Sequence, residues 1–225
     1  MQASNTDGAP AVPVLQVGDG WLAVNKPPGM PVQADPTGSP HLLGIVRDQV
    51  GTPGLELVNR LDRPVSGAVL LARGRALAAL NEVFRQRAVR KVYQALVEGV
   101  VEAPSEVRLV HHLVHDARTH KTRQATPGQG GREVVLLVRV VRAFERYTLL
   151  HLEPREGHFH QLRAQLALWG HPIRGDVKYG ARRAERDRSI ALHAWQLVLP
   201  GPSGGEQVRV EAALPGTSIW HILGA

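Results

Sequence analysis

The sequence predicts an α+β fold, a largely antiparallel mixed sheet with flanking helices. Three observations carry that expectation. Segments of strand character outnumber helical ones, and several follow one another with no helix between them, which favours antiparallel pairing over a doubly wound parallel sheet. With 225 residues, 43% hydrophobic and 21% charged, the chain can bury a sizeable core. That balance is ordinary for a globular protein and excludes a disordered or collagen-like chain.

The elements follow in order. Residues 1–13 are small, polar and proline-bearing and read as a flexible tail; residues 14–225 are expected to form one domain. Trp21–Asn25 is a short apolar run stopped by the turn signal Pro27-Pro28-Gly29. His41–Val50 has helical spacing through Leu42, Ile45 and Val46, and Gly51–Gly54 breaks it. Ala68–Ala72 reads as a buried strand. Arg75–Ala88 reads as an amphipathic helix with Leu77, Leu80 and Phe84 on one face. Val92–Val97 and Arg108–His112 look like strands, and Asp116–Arg132 like a polar, basic loop. Val134–Val141 and Tyr147–Glu153 form a strand pair. Gln161–Trp169 is a helix, with Leu162, Leu166 and Trp169 sharing a face, and His171-Pro172 ends it. Ile190–Leu199 and Gln207–Leu214 form a late strand pair.

Several classes are excluded by what the sequence lacks. Cysteine is absent, so disulfides and thiolate metal sites are not available. His111, His112 and His115 offer spacings that a metal can use on a helix, but the Val107–Val110 run reads as strand and no H-E-x-x-H pattern follows; no metal is expected. No apolar run approaches the eighteen or so residues of a membrane span. The first twenty-five residues hold no Lys or Arg, so no signal peptide is expected and the expected location is cytoplasmic.

Charge points to a polyanion. Lys and Arg total 27 against 20 acids, and only Lys26, Lys91, Lys121 and Lys178 are lysines. Arginine forks onto phosphates and stacks on bases, so nucleic acid is the favoured partner. Between Arg60 and Lys91, eight basic residues face only Asp62 and Glu82. Aromatic residues are 4% of the chain, too few for a row of stacking platforms.

Three stretches carry candidate chemistry. Asn59–Gly67 sets Asp62 between Arg60 and Arg63 just before a proline turn. Flanking guanidiniums would hold its carboxylate ionised with a lowered pKa, suited to a nucleophile or electrostatic partner; the plainer reading is a surface salt bridge closing a turn. Lys91–Gly99 alternates, placing Lys91, Tyr93, Ala95 and Val97 on one face, where Tyr93 can stack on a base or be an ordinary strand aromatic. Gly157–Arg163 opens a helix whose free N–H groups could meet an anion, with Arg163 able to reach inward or to remain a solvated helix residue.

Together, in this order and spacing, the stretches resemble the RluA family of pseudouridine synthases. Val24–Met30 looks like that family's N-K-P-x-G opening, Asn59–Gly67 like H-R-L-D-x-x-x-S-G, and Lys91–Gly99 like K-x-Y-x-A-x-V-x-G. Gly157–Arg163, with His171–Asp176 and Tyr179-Gly180, looks like G-R-x-H-Q-[IL]-R followed by G-H-P-I-x-G-D-x-x-Y-G. The resemblance spans about residues 14–215. It implies the pseudouridine synthase fold, an RNA pseudouridine synthase acting on rRNA or tRNA, and no cofactor. Asp62 falls on the catalytic aspartate, Tyr93 on the tyrosine that stacks on the target base, Arg163 on the residue that pairs with the aspartate, and Arg60 on the arginine that helps displace the nucleotide. Three roles are open to the carboxylate: attack on C1′, attack on the base, or removal of a 2′ proton. Asn59 stands where the family usually has His, and His158 where it often has Arg. About twenty residues precede the Asn25-Lys26-Pro27 motif, so a compact member without an S4 domain is expected. The expected partner is RNA with its target uridine flipped out; DNA and membranes are not expected, and the chain is expected to be a monomer. The alternative is a non-catalytic RNA-binding or ribosome-assembly factor on the same fold.

Overall fold

The computed structural model describes residues 11–102, 106–126, 128–201 and 205–223. One mixed, mostly antiparallel sheet of eleven strands organises them. In chain order the elements are β1 (Val14–Gly18), β2 (Trp21–Lys26), α1 (Leu42–Val50), β3 (Glu56–Leu57), β4 (Ser66–Ala72), α2 (Gly74–Arg85) and β5 (Arg90–Glu98). They continue with β6 (Glu106–Asp116), β7 (Lys121–Gln124), β8 (Arg132–Ala143), β9 (Tyr147–Pro154), α3 (Gln161–Leu168), β10 (Leu192–Leu199) and β11 (Val208–Glu211). The sheet runs β1-β2-β4-β10-β5-β9-β8-β6-β7, with β11 beside β10 and β3 beside β4. No helix among the described residues is long and apolar enough to cross a membrane.

β4 is buried along its whole length because both faces are covered. Val69 and Leu71 join the main core with Leu42 and Val46 of α1. Ala68 and Leu70 face a second core, where Leu80, Val83 and Phe84 of α2 pack. The 3.6-residue periodicity of α2 therefore serves as predicted, with a helix of amphipathic pattern laid on one side of a sheet.

β10 holds the centre. One edge pairs with β5 from Leu192 to Val198. The other is shared: β4 runs parallel to it at His193 and Ala194, then β11 takes over from Gln196. Gly67 makes the parallel approach possible. It has φ 118°, and a Cβ there would lie 2.3 Å from the Ala194 carbonyl oxygen. Beside it the buried His193 donates from Nε2 to the Ala212 carbonyl at 3.0 Å. Its Nδ1 then accepts from the Ser66 hydroxyl at 2.8 Å. Burial pushes the His193 pKa down to about 4, so the ring is neutral and fits this pattern.

The structure departs from the sequence reading in three places. Residues 1–10 of the expected tail lie outside the described residues, but Val12 belongs to the fold. It is buried, and its N–H and C=O both bond the Gln49 side-chain amide. The expected loop Asp116–Arg132 contains β7, which pairs with β6 from Leu113 to Asp116. Its polar, short strand lies at the sheet edge, where no apolar alternation is needed. The late strands are shorter than expected, since Ile190 and Ala191 are drawn off toward Pro64 and Arg174.

Substituting Gly67→Ala should lower stability by at least ~3 kcal/mol, from a forbidden backbone region and an overpacked contact. Thermal unfolding of the purified variant reads this directly, and an unchanged midpoint would contradict the close β4–β10 approach.

Candidate active site

The turn Asn59–Val65 enters β4 at the middle of the sheet, and the sequence folds it in a specific way. Asn59 extends the β3 edge with its side chain: its Oδ1 accepts the Leu70 N–H at 2.7 Å, and its Nδ2 donates to the Ala68 carbonyl at 3.4 Å. The residue that departs from the family pattern thus acts as a surrogate strand residue. The Val65 N–H then closes the turn on the Asp62 carbonyl at 3.0 Å.

From below, the turn is held by Lys26, which is fully buried. Its ammonium donates to three carbonyls: Pro27 at 2.9 Å, Met30 at 2.8 Å and Arg63 at 3.2 Å. The Gly29 N–H also donates to the Arg63 carbonyl at 2.8 Å. The Lys26–Met30 opening and the Asp62 turn are therefore one stitched unit. Burial lowers the Lys26 pKa to about 7, although Asp62 pulls it back up.

Asp62 does not pair with its sequence neighbours. Arg63 reaches away to the Gly29 carbonyl and Asp35, and Arg60 is exposed at the rim. The cation comes from α3, 101 residues along the chain: Arg163 Nη1 lies 3.3 Å from Asp62 Oδ2. The expected lowering of the Asp62 pKa by flanking arginines is also overturned. Burial raises it, with Arg163 opposing. Desolvation of a carboxyl outweighs a guanidinium at a long hydrogen-bond distance, because only one N–H reaches it.

Arg163 is itself buried and held from several sides. Its Nε and Nη2 clamp Asp176 at 2.6 and 2.7 Å, a bidentate fork. Nη1 also donates to His160 Nε2 at 2.9 Å. That leaves the ring proton on Nδ1, which donates to the Tyr179 hydroxyl at 2.9 Å. The Thr122 N–H donates to the same hydroxyl at 2.8 Å, and the guanidinium stacks 4.9 Å from the Tyr179 ring centre. Burial and the neighbouring cations push the His160 pKa down to about 3, so it acts as a neutral acceptor. Six consecutive residues of α3, Gln161–Leu166, are buried. Of the two sequence readings of Arg163, the inward one is observed and the solvated one is not, and its ion pairs compensate the burial.

All four residues singled out from sequence meet at one cavity. Arg60, Asp62, Tyr93 and Arg163 line a space of about 120 Å³ with Lys91, Glu156, His158, His160 and Leu192. That is well below the ~300–1,000 Å³ of sites for drug-sized ligands and suits a single flat ring. Burial and the nearby Asp62 push the Tyr93 pKa up to about 12, so it presents a neutral phenol. A larger cleft of about 780 Å³ adjoins the cavity and shares Arg60, Asp62, Lys91 and Tyr93 with it, extending to Arg47, Leu43 and Phe84. The sequence reading missed Lys26, Asp176, His160 and Tyr179 as site residues. Each stood inside a quoted motif, which was the only available signal. Among the described residues no metal-binding group of three or more His, Asp or Glu is present.

Residues 20–168 match the family described as RNA pseudouridylate synthase. The chain belongs to that family. Among curated relatives, the tRNA pseudouridine synthase C of Salmonella typhi is 37% identical over 88% of this chain and 84% of its own. The ribosomal large subunit pseudouridine synthase C of Escherichia coli strain K12 is 33% identical over 89% of this chain and 66% of its own. A solved structure, human RNA pseudouridylate synthase domain containing 1, superposes with a TM-score of 0.77 at 25% identity, over 96% of this chain and 87% of that one. The pseudouridine synthase fold expected from the motifs is the fold observed.

Because folded Lys26 gives up its proton near pH 7 while an unfolded lysine keeps it to about 10.5, its contribution makes stability rise with pH through that window. Between pH 7 and pH 9 the wild type should therefore gain several degrees of melting temperature relative to Lys26→Met, at roughly 2–4 °C per kcal/mol for a chain of this size. Parallel changes in both proteins would contradict a near-neutral pKa for Lys26.

Proposed function

We propose that this protein isomerises specific uridines of tRNA or rRNA to pseudouridine, with Asp62 as the acting carboxylate. The observation that carries the reading is the convergence of Asp62, Tyr93, Arg163 and Arg60 on one base-sized cavity in a member of this family. In the reaction the C1′–N1 bond breaks, its electron pair leaving on the uracil. The ring turns, C5 bonds to C1′ of the same ribose, the C5 proton is lost and N1 takes up a proton. Atoms and charge balance without oxidant, reductant or water, so no cofactor is required.

Each side chain has a physical part. Sugar–base cleavage builds positive charge on the ribose, which a carboxylate stabilises. Asp62 has to be ionised for this, and Arg163 keeps that form available in a buried site. Tyr93, half-buried and uncharged, offers its ring to the flipped uracil. The small cavity leaves little room for water beside the detached ring, which water would otherwise divert to hydrolysis. Flipping costs a few kcal/mol, least in a loop or bulge, and exposed Arg60 at the rim is placed to meet the displaced strand. The substrate is RNA and not DNA, and the protein acts as a monomer in the cytoplasm. The tRNA reading is favoured by the Salmonella typhi relative, whose length this chain covers at 84%.

Incubation with RNA tritiated at uridine C5 should release tritium. Asp62→Asn should abolish release while RNA affinity stays within about threefold; turnover by that variant would refute the role of Asp62. In single-turnover assays the rate should fall on the acid side as Asp62 protonates, at a pH above the usual carboxylate range. Arg163→Lys should lower the rate at least ~10-fold and move that limb higher, since the opposing cation is weakened. A limb that stays in place would remove Arg163 from control of Asp62.

A further inference from the structure

A second arginine-rich region lies beyond the cavity, on the segment that joins Asp176 to Ile190. The segment is rooted in the site at both ends. Asp176 clamps Arg163, and the Ile190 N–H donates to the Pro64 carbonyl at 3.3 Å, two residues past Asp62. Its two legs pass in close contact. Gly175 has φ 87°, and a Cβ there would sit 2.8 Å from the Ser189 carbonyl oxygen. Near the first root, Tyr179 bonds His160 and the Thr122 N–H.

Beyond this neck the charges are arranged one way. Arg182, Arg183, Arg186 and Arg188 are all exposed. The two acids between them are occupied elsewhere. Asp187 accepts from the Ser189 N–H at 3.0 Å and from its hydroxyl at 2.7 Å. Glu185 accepts from Arg174 Nε at 3.0 Å. Neither is spent on the segment's own exposed guanidiniums. Arg174 is fixed in turn by the Ile219 carbonyl at 3.1 Å and by the Tyr147 ring at 5.1 Å. Arg146, Arg174, Arg182, Arg183 and Arg186 line a cleft of about 540 Å³ in which these five arginines face Glu98 and Glu185. The cleft is distinct from the base-sized cavity. Glu98 lies five residues along β5 from Tyr93, about 16 Å at the usual strand rise.

We infer that residues 177–189 form a backbone clamp, whose arginines grip phosphates of the substrate RNA flanking the target nucleotide. This rests on the isomerase reading above. A row of guanidiniums along a cleft fits a chain of phosphates better than one small anion, since each fork takes two oxygens of a separate group. The rooting ties the grip to the substrate by position alone: both ends of the segment are fixed beside the site, one at Asp176 and the other at the turn that carries Asp62. No base is read there, so the clamp adds affinity and register and leaves sequence choice to the cavity.

The test is the salt dependence of binding to an in-vitro-transcribed tRNA, for the wild type and for a protein carrying Arg182→Ala, Arg183→Ala and Arg186→Ala. All three side chains are exposed, so the melting temperature should hold. The variant should bind at least ~10-fold more weakly near physiological salt, and its log–log salt slope should be shallower by ~0.7–0.9 for each phosphate the clamp no longer neutralises. Tritium release at saturating RNA should remain within about twofold. The triple Lys variant should restore most of the slope. An unchanged slope would overturn the proposal, as would a fall in saturated rate with affinity intact, which would make the segment a structural brace. Weakened binding to anionic phospholipid vesicles, with RNA binding intact, would assign it to a membrane surface and overturn it too. If the wild type binds RNA with the arginine-dependent slope yet releases no tritium, the isomerase reading fails and the clamp stands.

Discussion

A guanidinium with almost no access to water is the constraint around which this molecule is arranged. An unpaired charge in the interior costs several kcal/mol even after relaxation, so Arg163 has to be met by acids wherever the chain can supply them. Asp176 meets it with both oxygens and Asp62 with one. The stronger grip belongs to Asp176, the more deeply buried of the two carboxylates. The weaker one leaves Asp62 with an oxygen uncommitted and a pKa raised by burial. Placing the cation on a helix buried over Gln161–Leu166, with a neutral histidine and a tyrosine behind it, fixes its direction before any substrate arrives, which is the form of electrostatic preorganisation that catalysis uses most.

The motifs that alternation or helical spacing could reveal were legible. Lys91 and Tyr93 do share a strand face and both reach the cavity, and Leu80 and Phe84 do pack one face of α2 against the second core. What sequence could not reveal was pairing between distant segments. Asp62 stands between two arginines in the chain, yet its cation is 101 residues away, because Arg63 finds Asp35 and the Gly29 carbonyl first. The plainer reading of the turn, a salt bridge closing on itself, fails for the same reason. Lys26 looked like part of a motif and no more; its burial under three carbonyls comes from the meeting of two turns. β7 was hidden because a polar edge strand carries no hydrophobic period, and Val12 because one buried residue in a polar segment makes no pattern.

Arginine thus has two physical states in this protein. Arg163 and Arg174 are fixed by acids, carbonyls and aromatic rings, and their charge is spent on the molecule's own geometry. Arg60, Arg183 and Arg186 stand in solvent, where their charge is available to a partner, and exposed Arg182 is held only loosely, 3.9 Å from the Glu98 carboxylate. The net charge of +7 is therefore a poor guide to location, and the informative quantity is which guanidiniums lack an internal acceptor.

The late segments also close on the early ones. The Asn25 side chain donates to the Ala213 carbonyl, His193 donates to Ala212, and Arg174 donates to Ile219. The first of these joins stretches nearly two hundred residues apart, separated by 188 positions, and long sequence separation slows such pairing. A nascent chain that has not yet reached Ile219 can build much of the sheet, yet it has no acceptor there for Arg174. The arginine-lined cleft is therefore held from the far end of the chain as well as by Glu185 and Tyr147.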